Sequence, residues 1–441
     1  MYSSLLGSFL SNINALRYYI SSVDQTIKNS INNIRHKGTV SKNEMIALLM
    51  KACVNERNEG ADSFAEKMSE GFPDDMSDDE KEKYRIFFSN IERLVKELNF
   101  EDENAYAYSK LTKELKGEYQ KLDSIANQKR ILYNGSFMLL ITYYEHLIAS
   151  LFKKDFSDHP ERIHLDSKSV TYKIMMECND LEAIKERLVE NEVMEMMYKS
   201  HDEWMKFFTD KVKIDIPVIK INGNELKEII ARRNLLVHNN GCVNSIYLSI
   251  TGKKDVQLGD VLTVGKVYLN NAIDLIEASG MSLLIELWLK EYGKDDTEIE
   301  KISDILFSEC LENKKWELGK QLYGLCCKCK QLSEADILIF KINMWQCFKW
   351  LGQIDEVRKD IDKLDVSSRM PRYKLAVLAL RDEEEKFWKV YDTQNDINEE
   401  QLKNWPLFNS IREGEIYKMR FIGKSEESTV QITEKAGEEC V

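Results

Sequence analysis

Apolar residues recur three and four positions apart through long stretches of this chain, and almost nothing interrupts them. Of 441 residues only 5 are proline and 19 are glycine, low against average usage. Both residue types weaken a helix interior, so a chain carrying so few can run as long helices. No segment shows the alternation and frequent turn signals of an all-β protein. The expected fold class is all-α. The length predicts two or three domains, and a hydrophobic share of 43% supplies their cores.

The formal net charge is −13. That opposes general binding to nucleic acid, because phosphate affinity comes mainly from clustered Lys and Arg. Any RNA contact is then local and salt-sensitive. The 9 cysteines are odd in number and lack framework spacing, which reads as a reduced, cytoplasmic protein. Cys326-Cys327-Lys328-Cys329 is the one cluster. Zinc needs four ligands, and no second Cys or His pair lies at ribbon or finger spacing. Helix-face cysteines in a packed repeat are the expectation, with no metal and no cofactor. Met1-Tyr2-Ser3-Ser4 has no basic n-region and reads as no secretory signal. Residues 136–152 are strongly apolar, yet Glu145 and His146 interrupt them and the run is too short to span a bilayer. A buried core helix is expected there, and no membrane partner.

Along the chain, Leu5, Leu6, Phe9, Leu10, Ile13 and Leu16 mark an amphipathic first helix. Residues 55–83 turn acidic and contain Gly71-Phe72-Pro73-Asp74-Asp75, expected as an exposed loop. The helical pattern resumes from Ile86 to Leu98. These belong to an N-terminal helical region, residues 1–123. Residues 124–292 form the unit expected to carry chemistry. Within it, 155–169 reads as a polar break, 183–188 and 194–208 as helices, and Asp215-Ile216-Pro217-Val218-Ile219 as an extended connector. Residues 293–422 repeat weakly at roughly thirty to forty residues, within the range of helical hairpin repeats. The pieces Lys315-Trp316-Glu317-Leu318-Gly319, Gly352-Gln353-Ile354-Asp355-Glu356-Val357 and Glu384-Glu385-Lys386-Phe387-Trp388 occupy comparable places. This segment loosely resembles tetratricopeptide-type repeats, without their full residue pattern. Residues 423–441 are polar and read as a flexible tail.

Arg233-Asn234-Leu235-Leu236-Val237-His238, followed by Asn239-Asn240-Gly241, holds the concentrated chemistry. Leu226, Ile229, Ile230, Arg233, Leu236 and Val237 fall at helical spacing, which places Arg233 in register with the apolar stripe. A guanidinium there is costly unless paired or lining a polar cavity. Arg232, one step round, is expected to face solvent. His238 lies five residues after Arg233, a rotation of about 140° on an ideal helix. Two devices bring the pair together. The helix can end near His238, since Asn239, Asn240 and Gly241 suit a left-handed C-cap. Alternatively, a second subunit supplies the partner across a two-fold axis.

These residue types suit RNA cleavage by the neighbouring 2′-hydroxyl. That reaction needs a base, an acid for the departing 5′-oxygen and a cation for the phosphorane. Histidine titrates near neutral pH and serves either proton role. The arginine fork matches two phosphate oxygens. Asn234 can orient the histidine or bond a ribose. RNA supplies the nucleophile, so the scheme requires no metal.

Arg233, Asn234 and His238 match the Arg-x(4–6)-His motif, with a polar residue just after the arginine, of the HEPN superfamily. The following Asn-Asn-Gly is also similar to family members, and residues 136–152 fit the family's first core helix. The resemblance covers residues 124–292 and implies a HEPN-like helical bundle, flanked by the N-terminal helices and the C-terminal hairpin repeats. It implies a metal-independent endoribonuclease acting as a homodimer, of the kind found in toxin–antitoxin and anti-phage systems. Arg233, Asn234 and His238 are then the catalytic residues, and Arg233 and Asn239 contact RNA. Glu145 and Arg232 are supporting residues, Glu145 as a partner that keeps Arg233 buried. A regulatory protein or nucleic-acid trigger is expected on the helical repeats. The alternative is a non-catalytic member that binds a nucleotide or a partner protein, with Arg233 as a structural ion-pair residue. The other histidines, His36, His159, His164 and His201, read as surface. No Gly-x-Ser-x-Gly elbow, Walker-type loop or His-Glu-x-x-His occurs.

Overall fold

Short polar side chains that suit N-caps stand at the head of one helix after another. In the computed structural model, which describes residues 1–35, 105–163, 169–178 and 180–422, Asp180 accepts the amide of Ala183 at 2.8 Å and starts a helix. Ser200 and Glu203 form a capping box, as do Asn398 and Gln401. Asn244, Asp295 and Ser333 cap three more helices. Each side chain satisfies amides that the first turn of a helix leaves without a partner.

The named helices are α1 (Tyr2–Arg35), α2 (Ala105–Asp158), α3 (Leu181–Met197), α4 (His201–Phe207), α5 (Gly223–Asn239), α6 (Ser245–Thr251) and α7 (Lys266–Tyr292). There follow α8 (Asp296–Leu306), α9 (Trp316–Cys326), α10 (Glu334–Trp350), α11 (Arg358–Lys363), α12 (Pro371–Leu380), α13 (Glu384–Tyr391) and α14 (Glu399–Asn404). The all-α expectation holds, and the described residues contain no strand. The acidic stretch 55–83, the pattern at 86–98, His36, His164 and the tail 423–441 lie outside the described residues.

The described residues fall into two compact units. The first comprises Met1–Phe9, Tyr144–Leu226 and the chain from Asp274 onward; the second comprises Leu10–Tyr143 and Lys227–Ile273. In the first unit the ring of Phe152 stacks on Phe156 and Phe208. Residues 136–152 are the buried helix segment expected, with Phe137, Leu140, Ile141, Tyr144, Ile148 and Phe152 almost fully enclosed. No described helix is long and apolar enough to cross a membrane.

Two local expectations are corrected. The segment after Asp215 is not extended: Pro217 opens a short helix, Pro217–Ile221, a position where its missing amide costs nothing. His201 is not on the surface. It is buried, with Nε2 3.1 Å from the Tyr144 hydroxyl and its ring against Trp204. Its polar sequence neighbours gave no sign of this, because Tyr144 is 57 residues away.

The repeat-like third has a physical basis in its turns. Lys314, Gly352 and Asp382 all adopt positive φ, at 55°, 71° and 58°. After each, the next amide reaches back to a helix carbonyl: Lys315 to Cys310, Gln353 to Phe348 and Glu383 to Leu378. The left-handed residues themselves donate to Leu311, Lys349 and Ala379. This doubled bond pattern is the Schellman motif. It closes the helical segment before α9, then α10 and α12, and the three sequence pieces singled out above begin at or just after these turns. Cys326 is fully buried on α9 and its thiol is pushed well up by burial, as a packing residue would be.

Glycine costs less than lysine in the left-handed region. Lys314→Gly should therefore stabilise the fold by about 1 kcal/mol, seen as a raised midpoint in urea. Glu286 on α7 is half-buried, and burial, then the nearby Asp215, pushes its carboxyl up to about 7. A raised carboxyl favours the native state most below its unfolded value, and that stability drains away as pH climbs through about 7. Glu286→Gln should flatten the fall in melting temperature across that window; an unchanged profile would remove Glu286 from the account.

Candidate functional site

The motif lies at the C-terminal end of α5, in the second unit. Its helix ends where the sequence placed the stop. α5 runs to Asn239, and Asn240 and Gly241 follow with φ of 47° and 80°. Gly241 donates to the Leu235 carbonyl at 3.1 Å. A side chain at Gly241 would sit 2.5 Å from the Leu262 carbonyl oxygen, so both conformation and space demand glycine. The chain then pairs with its own continuation. Leu262 donates to Gly241, Val243 to Asp260 and Gly259 to Val243, with an antiparallel bridge between Cys242 and Val261. The side chain of Asn239 donates to the Cys242 carbonyl and fastens this turn. Ala231, Leu235, Val243 and Tyr247 form the small apolar core beneath.

The orientation of α5 corrects the expected one. Arg232, not Arg233, faces inward. Arg232 is 9% exposed, and its Nε donates to Glu228 Oε1 at 2.7 Å. Its Nη1 donates to the Thr263 carbonyl at 3.1 Å, and the guanidinium lies 4.1 Å from the centre of the Tyr268 ring. Glu228 Oε1 also accepts from the Tyr247 hydroxyl, and Oε2 from the Tyr268 hydroxyl, each at 2.6 Å. Burial, reinforced by the Glu228 carboxylate, holds both phenols above the ordinary tyrosine range, so they remain donors. Burial works against the Arg232 charge, but its Tyr268 and Glu228 neighbours more than offset that. The inward face of α5 is thus Glu228, Ala231, Arg232 and Leu235, with Leu226 and Ile229. Val237, expected inside, is 48% exposed.

The remaining motif residues face outward. Arg233 is half-buried, and its Nη1 donates to Asn234 Oδ1 at 3.0 Å. Asn234, His238 and Asn239 are exposed. His238 is still helical, so ending the helix does not swing its imidazole onto the Arg233 side. About 140° of helix rotation separates the two. Glu145 is half-buried on α2 and belongs to the first unit; His146, next to it, is exposed.

Glu228, Tyr247 and Tyr268 were not singled out in the sequence. Glu228 carried a signal, since it stands four residues before Arg232 on one helix. The tyrosines carried none, being 19 and 40 residues from Glu228. Compared with protein-family models, with curated proteins and with solved structures, the chain shows no match.

Removing one member of a buried ion pair strands the other. Arg232→Met should cost roughly 3–5 kcal/mol, whereas Arg233→Met should cost about 1 or less. Urea unfolding of the two variants measures the contrast, and equal losses would overturn the assignment of inner and outer arginines.

Proposed function

We propose that this chain is a metal-independent endoribonuclease that uses Arg233, Asn234 and His238 as a homodimer. The observation that carries this reading is the division of labour on α5. Arg232 is committed to Glu228 and the interior, while Arg233, Asn234 and His238 stand outside that buried network. A guanidinium bonded to its neighbouring carboxamide and an accessible imidazole fit phosphate capture and proton transfer. Since one helix holds the two groups on different sides, a second copy is taken to complete each site. Exposed apolar side chains in the same unit favour self-association: Val237 beside the motif, and Ile246 and Ile250 on α6. Asn239 serves the turn through its bond to Cys242, so its share in RNA contact is secondary. Cleavage of cellular or phage RNA in a toxin or abortive defence system follows as the biological setting.

The test is incubation of RNA with the purified full chain in EDTA, with sequencing of the ends. The expected product carries a 2′,3′-cyclic phosphate or its opened form. His238→Ala should fold normally and lose activity by roughly 10²-fold or more. Val237→Glu should yield monomers that do not cut. Intact RNA with a verified wild-type dimer, or equal cutting by His238→Ala, would sink the proposal.

A further inference from the structure

Among the helices after α7 lies a groove of about 530 Å³, bounded by α8, α10, the first turn of α12 and α14. Asn343, on its α10 wall, is 5% exposed. Its carboxamide has no hydrogen-bond partner among the described residues. Trp405 also lines the groove, with its indole Nε1 enclosed and without an acceptor. One turn beyond Asn343 on the same helix, the fully buried Gln346 leaves both side-chain atoms unpartnered. Gln346 does not line the groove, so Asn343 is the carboxamide that an occupant of the groove can reach, and its unused donor and acceptor capacity favours a ligand that supplies both.

The charge around the groove narrows the choice. Arg372 is the one cation among the described residues that line it, and Asp396 engages it through its Nε, Nη2 and backbone amide. Arg372 in turn holds the Asp396 carboxyl below the usual carboxylate range. The lining carboxylates Asp304 and Glu400 have no ion-pair partner among the described residues. The lip is therefore net negative, which disfavours phosphate ligands and favours cations. A carboxamide both donates and accepts, as a peptide unit does. Ile339, Ile342 and Ile397 provide the apolar floor.

We propose that this groove binds an extended segment of a partner protein carrying Lys or Arg beside apolar side chains. Asn343 bonds its backbone, and Asp304 and Glu400 receive its cation. The inference goes beyond the ribonuclease reading and uses none of the same residues.

The experiment selects displayed random peptides on the full chain, with Asn343→Leu as the counter-target, and measures the survivors by fluorescence polarisation. Enriched peptides should combine a cation with apolar neighbours and bind Asn343→Leu at least roughly tenfold more weakly. Asp304→Asn with Glu400→Gln should weaken binding and flatten its salt dependence. Asn343→Leu should melt no lower than wild type, because no internal hydrogen bond is lost; a purely structural asparagine would instead lower the melting temperature. Absence of enrichment, or binding unchanged in both variants, overturns the proposal. ATP binding that is lost with Asn343→Leu also overturns it, by assigning the groove to nucleotides. RNA cleavage measured on the same variants separates this outcome from that of the ribonuclease test.

Discussion

A single carboxylate organises the part of the second unit that carries the motif. Glu228 takes hydrogen bonds from Arg232, Tyr247 and Tyr268, and so joins α5, α6 and the start of α7 at one point. In a buried setting each of these groups would be expensive alone. Together they satisfy one another, and the arrangement tolerates little displacement because every member depends on the carboxylate. This sets the rotation of α5. Neighbouring residues on a helix differ by about 100°, so placing Arg232 inward turns Arg233 toward the edge and leaves Asn234 and His238 outside. The exposure of Asn234 and His238 is thus a consequence of a buried ion pair on the opposite side of the helix.

A different constraint governs the helices after α7. Three turns of the same hydrogen-bond geometry, at Lys314, Gly352 and Asp382, end the helical segment before α9, then α10 and α12. Only one of the three uses glycine, which is why the repeat is weak as sequence yet regular as backbone. The core of the helices from α10 onward includes Leu375, Leu380, Phe387, Leu402 and Phe408. Against such a core the unpartnered amides of Asn343 and Gln346 stand out, since apolar residues of similar volume would fill those places without leaving polar groups unsatisfied.

Much of the local structure was legible. The scarcity of breakers indicated helices, the apolar run at 136–152 indicated a buried one, and Asn-Asn-Gly indicated the end of α5. These features depend on residues close in sequence, where spacing and turn chemistry act directly. The errors had a common cause. Counting apolar positions put Arg233 inside, because it falls in register with a stripe of aliphatic residues. The structure instead buries a charged pair, Glu228 with Arg232, whose partners come from 19 and 40 residues away. His201 was read as surface for the same reason, its partner Tyr144 being remote. The connector expected at 215–219 is instead opened as a short helix by Pro217, because proline is at home in the first position of a helix.

By itself, then, the amino-acid order determined the helical class, the end of α5 and the residue types assembled near 233–241, because propensity, capping and steric rules operate within a few neighbours. Only tertiary structure decided which arginine is buried, which tyrosines hold the carboxylate and which carboxamide is left lining a groove. Those outcomes turn on the solvation of polar groups, and whether a polar group keeps water or finds a partner is settled by segments distant in the chain.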